Sequence, residues 1–62
     1  MHKKLYIARK EQRMTQVAAA KLINKSKRAY YSKEQEKSGF TLKEAQKLAR
    51  YFKTTVDELF EE

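Results

Sequence analysis

The sequence predicts an all-α fold of five short helices. Three observations predict it. The chain has no proline and one glycine, Gly39, in 62 residues, so few positions break a helix. Hydroxyl residues stand at intervals just before runs of good helix formers, where their oxygens can accept from orphan amides. The apolar residues recur at spacings of three and four, and no run alternates β-branched residues as a strand would.

In chain order, the first helix is expected over 3–12, with Leu5 and Ala8 inward beside the aliphatic stem of Arg9. Thr15 opens an alanine-rich helix over 16–23, whose Ala19, Ala20 and Ile23 face the core. Asn24 comes next, and asparagine tolerates the left-handed backbone of a tight inter-helix turn. Ser26 opens a helix over 27–35. Thr41 opens the fourth, over 42–52, and Glu44 three residues on completes a capping box. Its buried stripe is Leu42, Ala45, Leu48, Ala49 and Phe52. Thr55 opens the last, over 56–60, with Glu58 completing a second capping box and Val56, Leu59 and Phe60 closing the core.

A chain this short is expected to hold one domain, 1–62, with a modest core. It has no cysteine, so no disulfide or thiolate site can staple it. Its one histidine, His2, lies near an end expected to fray. A metal site is therefore not expected, nor any cofactor or small-molecule ligand. No nucleophile–base pair stands out, so no catalysis is expected. No apolar run approaches the ~20 residues that cross a bilayer, and the expectation is a cytoplasmic protein with no membrane partner. The charge is the positive clue. Up to Lys53 the chain carries fifteen basic residues against four acids, a net +11. The remainder holds Asp57, Glu58, Glu61 and Glu62, a net −4. A body so basic attracts polyanions.

The run QVAAAKLINKSKRAYYSKEQ, residues 16–35, resembles a helix-turn-helix motif. Ala20 is the small residue where the two helices cross, Asn24 replaces the glycine of the turn, and Tyr30 is the apolar residue inside the second helix. LYIARKEQRMTQ before it, and TLKEAQKLARYFKTTVDELF after it, resemble the opening and closing helices of the lambda-repressor-like (Cro/Xre) family. The closing Asp57-Glu58-Leu59-Phe60 and the Thr15-Gln16 start carry most of the specificity. Lys25 and Lys33 stand where that family usually has apolar residues, and lysine stems can lie over apolar surface.

The resemblance implies a lambda-repressor-like bundle that binds double-stranded DNA as a sequence-specific transcriptional repressor. It implies a homodimer on a palindromic operator, with the third helix in the major groove. Lys27 and Arg28 open that helix against its macrodipole, and with Tyr31 and Ser32 they are expected to touch bases. Arg13, Thr15, Gln16, Lys25, Ser26, Lys33 and Lys37 are expected to touch the DNA backbone. The family's partly buried salt bridge would join Arg9 to Glu34. The rival expectation is a protein-interaction module of the same fold, an antitoxin or anti-repressor. It would show an uncovered apolar patch larger than Phe40, Tyr51 and Phe60 supply.

Overall fold

A computed structural model describes residues 1–61. Five helices succeed one another: α1 Lys3–Glu11, α2 Gln16–Leu22, α3 Lys27–Glu34, α4 Leu42–Tyr51 and α5 Val56–Phe60. Among the described residues there is no strand.

Hydroxyl caps start four of the helices. Thr15 Oγ1 accepts from the Ala18 amide and Ser26 Oγ from the Ala29 amide, each at 3.1 Å. At α4 the capping box is complete: Thr41 Oγ1 accepts from the Glu44 amide at 3.1 Å, and Glu44 Oε1 accepts from the Thr41 amide at 2.9 Å. At α5 only half of the expected box forms. Thr55 Oγ1 accepts from the Glu58 amide at 3.1 Å, but Glu58 is exposed and its carboxylate stays in solvent rather than turning back.

The helix ends share one device. Arg13, Asn24, Glu36 and Lys53 all have positive φ, between 53° and 64°, and each stands just past the last turn of α1, α2, α3 or α4. The next amide then reaches back across the turn. Met14 donates to the Arg9 carbonyl, Lys25 to Ala20, Lys37 to Ser32 and Thr54 to Ala49, at 2.9–3.0 Å. This is the Schellman arrangement, in which glycine is the usual left-handed residue. Here four L-residues take that place, while Gly39 has no positive φ.

The core is Leu5, Ala19, Ala20, Ile23, Tyr30, Leu48, Ala49 and Leu59. Val56, Phe52 and Phe60 pack against its margin. Leu42, expected in the buried stripe of α4, is 68 % exposed. It is the first residue of the helix, and side chains lean toward the helix start, so it projects past the rim of the core. Glu44 is covered in that first turn instead.

His2 corrects a second expectation, because the N-terminal end is tied down. The His2 amide donates to the Glu34 carbonyl at 2.9 Å, joining the start of α1 to the end of α3. The imidazole packs on Phe60 at 5.2 Å and on Phe40 at 5.6 Å. Its Nδ1 is buried with no hydrogen-bond partner among the described residues.

The left-handed junctions generate a test. Replacing Lys53 by glycine removes a penalty of roughly 1–2 kcal/mol, offset in part by the extra entropy glycine loses on folding. Urea unfolding of Lys53→Gly is expected to show a gain of about 0.5–1 kcal/mol. A loss would mean that the lysine side chain contributes more than its backbone strain costs.

Candidate nucleic-acid interface

Helices α2 and α3 form the pair that presents the site. Ala19 and Ala20, 0 % and 2 % exposed, let the two helices approach closely, and Asn24 at φ 60° reverses the chain between them. At about 100° per residue, Lys27, Arg28, Tyr31 and Ser32 share an arc of about 140° on α3. Tyr30 and Glu34 fall outside that arc, past its Lys27 edge, and are fully buried. Lys27 and Arg28 are exposed, Tyr31 is 44 % exposed and Ser32 is half-buried. The adjacent tyrosines therefore part company, one to the core and one to solvent.

A polar network holds α3 from behind. Arg9 Nε donates to Glu34 Oε2 at 2.9 Å and Arg9 Nη2 to Oε1 at 3.2 Å, a two-pronged bridge. Arg9 Nη1 donates to the Met14 carbonyl at 2.9 Å, and the Tyr30 hydroxyl donates to Glu34 Oε2 at 2.7 Å. Arg9 is 4 % exposed and Glu34 0 %. Burial by itself would lower the Arg9 pKa, but the Glu34 carboxylate outweighs it and holds the guanidinium above its ordinary value. Burial and the Glu34 carboxylate push the Tyr30 phenol well above its ordinary range, so its proton stays available to Glu34. The arrangement satisfies a buried anion with one cation and one neutral donor.

Lys33 departs from its expected role. Its ammonium donates to the Gly39 carbonyl at 2.8 Å and bridges Glu44 Oε1 at 3.1 Å, with the side chain only 13 % exposed. The stem covers the site where the resemblance calls for an apolar residue, and the charge is spent inside the domain. The link fastens the end of α3 to the head of α4. Burial by itself would raise the Glu44 pKa, but the Thr41 amide, Lys33 and then Lys25 lower it further than burial raises it.

The other expected backbone contacts lie at the surface. Arg13, Lys25 and Lys37 are exposed and in no ion pair among the described residues. Thr15 and Ser26 are exposed N-caps whose hydroxyls already accept from backbone, and Gln16 is half-buried at the start of α2. The amides that open α2 have no intrahelical acceptor, a disposition suited to phosphate oxygens. Lys43 is a further candidate that sequence reasoning misses. It is exposed in the first turn of α4, opposing the macrodipole as Lys27 and Arg28 do, and that sign mismatch is the signal that could have found it.

A helix pair with a tight left-handed turn, carried on three supporting helices with a cationic head on its second member, defines the helix-turn-helix class of DNA-binding domains. A profile of the helix-turn-helix family matches residues 5–59, and the chain belongs to this family, the Cro/C1-type, lambda-repressor-like one. No curated protein and no solved structure matches the chain. The family is one of DNA-binding transcription regulators and is not normally enzymatic. No helix among the described residues is long and apolar enough to cross a membrane.

Two outcomes are expected. Arg9→Ala or Glu34→Ala strands a buried charge at a cost on the order of 3 kcal/mol. At roughly 4–8 °C per kcal/mol for a domain of this size, each variant should melt more than ~10 °C lower; melting curves overlaying the wild type would contradict the burial. The Glu44 link gives a pH signature. Its folded pKa is depressed below the ordinary 4.5, so its contribution is full above that value and is lost as pH falls through the folded one. In urea titrations, wild type and Glu44→Gln should differ by a constant amount from pH 7 to about pH 5. They should then converge as pH falls through the depressed folded value.

Proposed function

We propose that the chain is a sequence-specific DNA-binding repressor that acts as a homodimer on a palindromic operator, reading bases with α3. The observation that carries this is the exposed arc of Lys27, Arg28, Tyr31 and Ser32, whose two cations oppose the helix dipole and have no acidic partner among the described residues. A structural face has no need of that cost.

Arg28 reads a guanine through its planar fork, to O6 and N7 together. Lys27, Tyr31 and Ser32 contact neighbouring edges, Tyr31 reaching a thymine methyl or a phosphate. Arg13, Thr15, Gln16, Lys25, Ser26 and Lys37 hold the flanking phosphates and set the register. Lys33 leaves this set, because its ammonium is already committed to Glu44 and Gly39. One domain reads only a few base pairs, so two copies on half-sites about one helical turn (~34 Å) apart supply the length.

The interaction-module reading has less support. Phe40 and Phe60 pack on each other at 5.2 Å and against the core. Of Phe40, Tyr51 and Phe60, Tyr51 alone is exposed.

Selection of bound sequences from a random duplex library tests the reading directly, and enrichment of a palindrome is the expected result. On the selected site, log K should fall with log salt by about 0.9 per phosphate neutralised. Arg28→Ala should lose about 1–3 kcal/mol and relax one base position. Arg13→Ala should weaken all sequences alike and flatten the slope by about one contact. Lys33→Ala should leave the slope unchanged while lowering the melting temperature. No binding to any duplex at low salt would overturn the reading.

A further inference from the structure

Helix α3 is gripped at one end and faces solvent with its cations at the other. Lys27 and Arg28 open it, exposed and in no ion pair among the described residues. Its last turn is held from three directions. Arg9 of α1 reaches the Glu34 carboxylate, Lys33 reaches Gly39 and Glu44, and the His2 amide donates to the Glu34 carbonyl at 2.9 Å. At a rise of about 1.5 Å per residue, Glu34 lies about 9 Å along the axis from Arg28. A tilt at the grip is therefore carried along the helix to its cationic head.

His2 enters this grip through two different parts. Its backbone holds the end of α3, and its half-buried ring fills space between the α3–α4 loop and α5. The ring lies 5.6 Å from Phe40 and 5.2 Å from Phe60, edge-on to the latter. Phe40 in turn meets the buried Tyr30 of α3 at 6.1 Å. Nδ1 has no hydrogen-bond partner among the described residues, so packing, and not a bond at that nitrogen, holds the ring. The ring also borders a hollow with Ser38 and Ala45, and truncating it widens an existing gap between the loop and α5.

We infer that His2, which is none of the candidate DNA-contacting groups, is a positioning residue for base readout: its wedged ring and its amide seat the far end of α3 so that Arg28 meets base edges in register. A two-pronged contact to a base tolerates only about 0.5 Å and 10–20° of misplacement. Attraction to phosphates falls off slowly with distance and forgives such a shift. Loss of the seat therefore harms site-specific binding and spares the non-specific part. The inference rests on the base-reading role proposed for α3 and adds a residue to it.

The test compares binding of the full chain to its selected site and to an unrelated duplex of equal length, at one salt concentration, with melting curves to verify folding. His2→Ala removes the ring and keeps the amide. It should weaken binding to the selected site roughly fivefold or more, and to the unrelated duplex by less than about twofold. Added to Arg28→Ala, it should cost the selected site less than about twofold, because the contact it aligns is already gone. His2→Phe restores the wedge with no nitrogen left unpaired, and should recover the wild-type preference. Phe40→Leu, which shrinks the other side of the wedge, replaces His2→Ala if the latter fails to fold. Hydrogen exchange of the free chain reads the seat without DNA. The last-turn amides of α3 should exchange roughly threefold faster or more in His2→Ala, with those of α4 little changed and His2→Phe like the wild type. Equal losses on both duplexes, a penalty that persists beside Arg28→Ala, no rescue by phenylalanine, or unchanged exchange overturns the inference. A wild type that binds no duplex, or prefers none, counts against the DNA reading of α3, whereas the exchange result bears on the His2 seat alone.

Discussion

The structure turns on one buried carboxylate. Glu34, at the last turn of α3, is reached by the guanidinium of α1 through two bonds and by the hydroxyl of its own helix through a third. The same guanidinium holds the carbonyl of Met14 in the turn before α2. One set of four hydrogen bonds therefore fixes α1, the approach to α2 and α3 relative to each other. The His2 amide adds a further anchor, at the Glu34 carbonyl. A 62-residue chain buries only a modest apolar core. Directional bonds in a low-dielectric interior supply what the core lacks in size, provided every member is satisfied.

Much of this is legible in the sequence. The five helices arise from hydroxyl caps and apolar spacing, and their bounds agree to within a residue because Thr15, Ser26, Thr41 and Thr55 mark the starts without ambiguity. The ends are harder to read. A glycine-poor chain offers little signal for left-handed turns, and of the four among the described residues Asn24 alone has a residue type that suggests one. Arg13, Glu36 and Lys53 hold the same geometry because the next amide in each case bonds back across the turn, which is a property of the fold and not of the residue.

The candidate interface shows a second limit. Lys25, Lys33 and Lys37 are all expected at the DNA backbone, and the resemblance separates only Lys25 and Lys33, as standing at usually apolar positions. The Glu44 carboxylate and the Gly39 carbonyl, both met by the Lys33 ammonium, set Lys33 apart from the other two. The opposite holds at His2, whose place near a terminus suggests a loose end, yet which is held by Glu34 and by two aromatic rings. Leu42 escapes the buried stripe because periodicity counts faces and takes no account of where the supporting core stops.

The close crossing of α2 and α3 carries a consequence for genetics. Ala20 has almost no exposed surface and is none of the candidate DNA-contacting groups, but its methyl determines how near the two helices come. A larger side chain there tilts or lifts α3 while leaving every recognition residue intact. On the proposed reading of α3, a screen for lost DNA binding would recover Ala20 beside Arg28 with indistinguishable phenotypes. Only a measure of foldedness taken with the binding assay would reveal that one lesion damages the reading head and the other its mounting.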